Sequence, residues 1–363
     1  MARGPFALSA VGDLVPSRKI FDGGVGRGKG GFDETLAVLR DTDVVFGDLE
    51  MPLSTLGVPR DKAIAFHGAP ELTAELARFG FSVLSLANNH SMDYGWEALD
   101  DTMRGLDAEG IAHVGAGSDL EAAERPVTVD ARGSRIGFVA WTCLLPVGSA
   151  AGRARPGHAP IRVHTSYEVD AGTQMEEPGN PPLVRTRTDD ADLERALARV
   201  TDVRRNVDFL AVSIHWGYGA GELLAEYQQP LGRALIDAGA DVVLGNHVHA
   251  VHGIEAYRGR AILYSPGNFL AQQPREGLSP RAIGILDEMS HDGYVARIDV
   301  GAGGGYTVRA VPTVTDADGL PIRAHGEDFD RIAGTLGRLS ARLDTPVRAE
   351  DGELVVSLDG GPR

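Results

Sequence analysis

VVLGNHVHAVHG (242–253) runs from an apolar stretch into a glycine and then three histidines, His247, His249 and His252. The chain holds eleven histidines in 363 residues, so this cluster is a marked concentration. A β-branched apolar run bounded by glycine reads as a buried strand. Histidines just past its carboxyl end read as metal ligands. His-x-His alone is a weak signal, because alternate residues of a strand share a face in any case. Its weight depends on what other segments bring to the same place.

Several strand-like segments end in the same way. FALSAVGD (6–13) ends in Gly12-Asp13, and VVFGDLE (44–50) ends in Asp48-Leu49-Glu50. FSVLSLANNH (81–90) ends in Asn88-Asn89-His90, with Asp93 close behind, and VDFLAVSIHWG (207–217) ends in His215-Trp216-Gly217. Singly, each has a structural explanation. Gly-Asp is a common turn, Asn-Asn-His suits a helix cap, and a lone strand-end His is often a hydrogen-bonded core residue. Together they predict convergence, because the carboxyl ends of strands in an open α/β sheet form the ligand crevice. Their Asp, Glu, Asn and His donors suit Mn, Fe or Zn. The lone cysteine, Cys143, excludes an internal disulfide and a thiolate zinc site. It falls at the end of RIGFVAWTC (135–143), as a small core residue of a strand.

Between these segments lie amphipathic stretches that predict helices: 32–42, 69–80, 95–110, 189–206 and 226–240, with Pro230 in the first turn of the last. Strand–helix alternation predicts an α/β layered domain. Further strands are expected near 111–117, 126–130, 135–142 and 260–269. After 290 come YVARIDV and YTVRAVPTV, a helix at 327–343 and a short strand near 353–357. Residues 144–188 break the pattern. They are rich in Pro, Gly, Arg and Thr, show no period, and predict a lid, a binding loop or a partly ordered insertion. The expected organisation is one domain over 1–290 with that insertion, and a C-terminal β/α extension over 291–363 completing it.

Net charge is −16, which argues against nucleic acid and anionic membrane surfaces as partners. An anionic substrate would need local neutralisation, which a bound divalent metal supplies. No run of about eighteen apolar residues occurs, so no membrane insertion is expected. The N-terminal apolar segment is short and runs into an acidic turn, unlike a signal peptide, which predicts a cytoplasmic protein.

The order Gly-Asp, Asp-Leu-Glu, NNHSMDYG, SIHWG, NHVH and YSPGNF over residues 6–270 resembles the CapA family of poly-γ-glutamate capsule biosynthesis proteins, within the calcineurin-like metallophosphatase superfamily. The resemblance implies an α/β, four-layer metallophosphatase-like β-sandwich flanked by helices, with a dinuclear metal centre at the strand ends. It implies that Asp13, Asp48 or Glu50, Asn89, His215, His247 and His249 are metal ligands, with Glu50 favoured over Asp48. His90 matches the non-ligating histidine that protonates a leaving group, and Asp93 would orient it. Val15 stands where such phosphatases place another histidine, two residues after the first Asp. His252 matches no motif position, which suggests a place on the surface or behind the ligands. GNHVH replaces the family's usual GHHPH, and the Glu that usually follows HWG is delayed to Glu222.

A dinuclear centre polarises a substrate oxygen and lowers the pKa of a bridging water. The expected function is a metal-dependent hydrolase acting on a phosphoester or on an amide or γ-glutamyl bond, in a polymer or secondary-metabolite pathway. The other expectation is a non-catalytic metal-binding accessory of poly-γ-glutamate or capsule synthesis. Lys62 and His67, in KAIAFHGAP, and Arg185 and Arg187, in the insertion, are candidates to bind an anionic small-molecule or polymer substrate.

Overall fold

A computed structural model describes residues 4–177, 179–219 and 221–359. Two sheets stack face to face. The larger has ten strands. Its path runs Val347–Glu350, Glu353–Val356, Tyr306–Thr315, Asp292–Val300, Phe6–Val15, Val44–Leu49, Val83–Ser85 and Ala112–Val114; Asn268–Ala271 pairs with Phe6–Val15, and Pro321–Arg323 with Tyr306–Thr315. The smaller has six, in the order Ile254–Tyr257, Arg260–Leu263, Val242–Asn246, Phe209–His215, Ser134–Thr142 and Val127–Ala131. Strands from beyond residue 290 sit beside the N-terminal strand in the middle of the larger sheet, so the C-terminal segment is part of the sandwich.

Period-two alternation sorts the side chains into layers. Phe6, Leu8, Ala10, Val44 and Phe46 of one sheet meet Ile136, Phe138, Phe209, Ala211, Val242 and Leu244 of the other in a shared inner core. Phe46 and Phe138 stack across the gap, ring centroids 5.5 Å apart and planes 2° from parallel. Residues of opposite parity face outward onto helices. Val45 and Val11 pack with Phe32, Leu36, Leu76, Phe79, Leu99 and Leu106. Val139, Leu210, Val212 and Val243 pack with Ala196, Val200, Leu231 and Leu235. Helix–sheet–sheet–helix gives the four layers the sequence implied. The C-terminal helix Gly326–Ala341 adds Ile332 and Leu336 to the inner core.

Two segments differ from expectation. The stretch 260–269 is not one strand. Arg260–Leu263 lies in the smaller sheet and Asn268–Ala271 in the larger. Pro266 lacks an amide to continue a ladder, and Gly267 adopts φ +81°, so the chain crosses between the sheets there. Residues 144–188 are not without regular structure. Val163–Glu168 and Leu183–Thr188 form an antiparallel hairpin, and Gly157–His158 pairs with Ala116–Gly117. The hairpin strands are short and mostly exposed, so they leave no apolar alternation to read.

Candidate metal centre

The inner core ends where its strands turn polar. Val44 and Phe46 face inward, so Asp48 does too; Phe209 and Ala211 face inward, and so does His215. Asp13 would fall on the wrong face if its strand were regular. Pairing with Val44–Leu49 joins Ala10 to Phe46 but Asp13 to Asp48, three residues against two, so a β-bulge at Val11–Gly12 turns Asp13 to the Asp48 side. Gly12 permits this, since a Cβ there would lie 1.7 Å from the Gly267 carbonyl oxygen.

Six side chains meet at this edge as two donor triads: Asp13, Asp48 and His215, and Glu50, His247 and His249. In each triad the ligand atoms lie within 4.8 Å of one another. The two triads touch. His215 Nε2 is 3.3 Å from Glu50 Oε1, and His249 Nδ1 is 3.3 Å from Asp13 Oδ2. His247 and His249 hold positive φ, 99° and 55°, uncommon for residues with a side chain. The Asp13 carboxylate accepts the His247 amide at 3.2 Å and helps hold that turn.

Asp13, Asp48 and Glu50 are fully buried, and their ion-pair partners among the described residues are His215 and His249. Buried carboxylates are costly unless charge and hydrogen bonds compensate. Asp13 Oδ1, Asp48 Oδ1, both Glu50 oxygens, His215 Nδ1 and His247 Nδ1 are buried without a hydrogen-bond partner among the described residues. Six orphaned donor atoms aimed at a shared space fit two divalent cations. Protons respond to the same crowding. Burial pushes Asp48 up to about 6, against the pull of His215. Burial opposes charge on His215 and His249, yet the surrounding carboxylates raise them to about 10 and about 9. Burial and the neighbouring histidines drive His247 well below its usual range.

Asn89 joins the group through its side-chain oxygen, which accepts from His215 Nε2 at 2.7 Å. Val15, in contrast, is buried in the helix-side apolar layer. His252 is not on the surface; it is buried and its Nε2 donates to the Gly221 carbonyl at 2.8 Å.

His90 sits beside the triads and is partly open. Its Nδ1 lies 2.6 Å from Asp93 Oδ2, and Asp93 also accepts the Phe66 amide at 2.8 Å. Lys62, the expected substrate-binding cation, is engaged within the protein. Its ammonium donates to Asp93 and to the Asn89 carbonyl at 2.8 Å, and faces His90 Nδ1 at 3.2 Å, so it braces the catalytic candidate from behind. His67 is exposed and lies against Tyr94, ring centroids 4.3 Å apart and planes tilted by 43°. Arg185 is held by Glu168 and Glu226 on the exposed hairpin, and Arg187 lies 3.9 Å from Asp190, so neither has a contact with the triads.

Three supporting residues were given no role of their own by the sequence reading. Asn268 Oδ1 accepts from His249 Nδ1 at 2.9 Å. Asn88 donates to Asp48 at 3.2 Å and accepts the amides of His90 and Ser91. His158 Nε2 lies 2.7 Å from Ser91 Oγ. Asn268 carried a signal, a polar residue opening a strand directly after Pro266-Gly267; His158 carried none. A cavity of about 350 Å³ opens beside His249, walled by Val248, Ala250, Ile285 and Met289.

The comparisons agree with the motif order. A family model described as "Bacterial capsule synthesis protein PGA_cap" matches residues 7–273. The uncharacterized protein y4sH of Sinorhizobium fredii is 31% identical over 329 residues, covering 78% of this chain and 70% of that protein. "PGA biosynthesis protein CapA" of Bacillus subtilis is 29% identical over 273 residues, covering 74% and 63%. A "probable polyglutamine synthesis accessory protein" of Mycobacterium tuberculosis is 35% identical over 242 residues, covering 65% and 58%. The chain thus spans 58% to 70% of the length of these relatives. Among the described residues no helix is long and apolar enough to cross a membrane.

Proposed function

The chain belongs to the bacterial capsule synthesis protein PGA_cap family, and from that premise we propose that it is a metal-dependent hydrolase acting on an anionic substrate. The bond cleaved is a phosphoester or a γ-glutamyl amide; the names of the relatives favour the amide. One observation carries the reading: two buried donor triads with orphaned ligand atoms lie beside a partly open His90–Asp93 pair. A purely structural metal site needs no positioned imidazole at its rim.

Asp13, Asp48 and His215 would hold one cation, and Glu50, His247 and His249 the other, with Asn89 completing the shell. Bound Mn, Fe or Zn would supply Lewis acidity and a water acidic enough to attack near neutral pH. The protein does the rest. Asp93 holds His90 through Nδ1, which leaves Nε2 to give a proton to the departing oxygen or nitrogen. Lys62 keeps Asp93 in place and adds a positive charge behind the imidazole.

The test is direct. Protein loaded with Mn, Fe or Zn is assayed on bis(4-nitrophenyl) phosphate and on γ-linked glutamate oligomers, with metal content measured in parallel. Turnover that depends on both metal and His90 supports the hydrolase. Full metal loading with no turnover on either substrate leaves the accessory role and rejects this one.

A further inference from the structure

A substrate charge remote from the metal centre would need a cation of its own, and the lysine next to the site is engaged. Lys62 has three N–H groups. Two go to Asn89 and Asp93, and the third faces His90. Arg162 and Arg185, from the insertion, are tied to Asp192 and to Glu168 and Glu226. Arg60 differs. It is half-buried on the same loop as Lys62, and among the described residues its guanidinium makes one hydrogen bond, from Nη1 to the Val147 carbonyl at 2.9 Å. No carboxylate lies in ion-pair range of it among the described residues. A guanidinium carries five N–H groups, so four remain for a ligand.

Its place is fixed from both sides. The Arg60 amide donates to the Asp93 carbonyl at 2.8 Å, and the Lys62 amide donates to the Arg60 carbonyl at 2.8 Å. The backbone that braces His90 therefore also sets Arg60. The Val147 bond ties the guanidinium to the first residues of the insertion. Because Asp93 also holds His90, Arg60 stands on the His90 side of the centre, at the seam between the bracing loop and the insertion.

Resting on the hydrolase reading, we propose that Arg60 is the specificity residue of this site: it receives a second oxyanion of the substrate, a carboxylate or phosphate group remote from the bond that is cut. A planar guanidinium with a free edge suits such a group, through paired charge-assisted hydrogen bonds. Substrates carrying one charge at the reacting centre would miss it.

Calorimetry on metal-loaded protein tests this with matched probes: glutarate against butyrate, and 1,3-propanediphosphonate against propylphosphonate. Wild type is expected to prefer the doubly charged member of at least one pair, and the pair that shows the preference tells carboxylate from phosphate. Arg60→Gln should weaken that member by about ten- to a hundredfold and move its singly charged partner little, while Arg60→Lys retains part of the preference. Equal weakening of both members, loss of metal in Arg60→Gln, or a wild type indifferent to the second charge would each overturn the assignment. If the preference holds and depends on Arg60 while the chromogenic ester and oligomers are never cleaved, the hydrolase reading fails and the Arg60 site stands.

Discussion

Asn268 Oδ1 accepts a hydrogen bond from His249 Nδ1 at 2.9 Å, across the point where the chain leaves one sheet and enters the other. The bond fixes the tautomer. With Nδ1 protonated, Nε2 of His249 carries the lone pair and faces Glu50, 3.7 Å from its Oε2. Loss of such a partner typically lowers metal affinity about ten- to a hundredfold. Asn268→Ala should show that drop in competition with a chelator, whereas Asn268→Asp, which keeps an acceptor, should hold metal more tightly than the alanine variant. An alanine variant with wild-type affinity would show that His249 is held by packing alone.

His90 should matter for turnover and not for metal. Its ring contacts Asp93, Lys62 and Phe66, and it belongs to neither triad. Removing a general acid typically costs about 10²–10⁴ in rate. His90→Ala should lose that much on substrates with poor leaving groups, and less on nitrophenyl esters, whose leaving group needs no proton. Elemental analysis should find its metal undiminished; loss as complete as in His247→Ala would make it a ligand instead.

The metal-free protein should weaken as pH rises. His215 and His249 are raised in the fold to about 10 and about 9, from an ordinary 6.5. Between 6.5 and those values the native state keeps protons that the unfolded chain has released. The stability they contribute is present at pH 6.5 and below, and is lost as pH climbs through 9 to 10. Metal displaces the same protons, so metal affinity should rise over that window. Chelator-treated protein should therefore melt lower at pH 9.5 than at pH 6.5, with the gap between metal-loaded and metal-free midpoints widening. A metal-free midpoint that rose with pH would contradict the buried charge arrangement.

Most of the architecture was legible because burial leaves periodic marks. Apolar runs such as 242–244 belong to strands covered on both faces, and the strands Val44–Leu49, Phe209–His215 and Val242–Asn246 end at or just before residues of the triads. The Asp13 position was legible as a strand end, but the bulge that aims it was not, since Gly12 declares a close approach only once Gly267 is seen beside it. The split of 260–269 was written in Pro266-Gly267 and masked by apolar residues on either side. The partners of Lys62 were not legible because sequence shows a charge without them; Asp93 lies thirty-one positions away. The hairpin and His158 left no trace, because exposed strands have no inner face and a two-residue bridge has no period.

The inner core should be intolerant at its centre. Phe46 is 1% exposed and stacks on Phe138 from the opposing sheet. Phe46→Ala leaves a cavity between two rigid sheets, where collapse is difficult, and should cost about 3–5 kcal/mol. Denaturant unfolding with an unchanged m-value would measure it; a cost below about 1 kcal/mol would mean the sheets can close over the gap.

The insertion should divide into a built-in root and a dispensable hairpin. At the root, His158 is fully buried and meets Ser91, while Ser149 and Gly115 carbonyls accept the amides of His158 and Ala159. Beyond it, the strands Val163–Glu168 and Leu183–Thr188 are largely exposed, with Tyr167, Val169 and Met175 open to solvent. Burial, with smaller contributions from His215, Arg60 and Lys62, lowers His158 from 6.5 to about 3. Between those values the unfolded chain binds a proton that the native state refuses, so this residue erodes stability as pH falls below 6.5. Replacing residues 165–186 with a short Gly-Ser linker should leave the melting midpoint at pH 7 nearly unchanged and keep the decline between pH 6.5 and 4.5. His158→Gln should lower the midpoint at pH 7, since the Ser91 contact is disturbed, and flatten that acid decline. If removing the hairpin flattened the decline instead, or if His158→Gln left it as steep as in wild type, the root would not be the part that locks the insertion to the His90 turn.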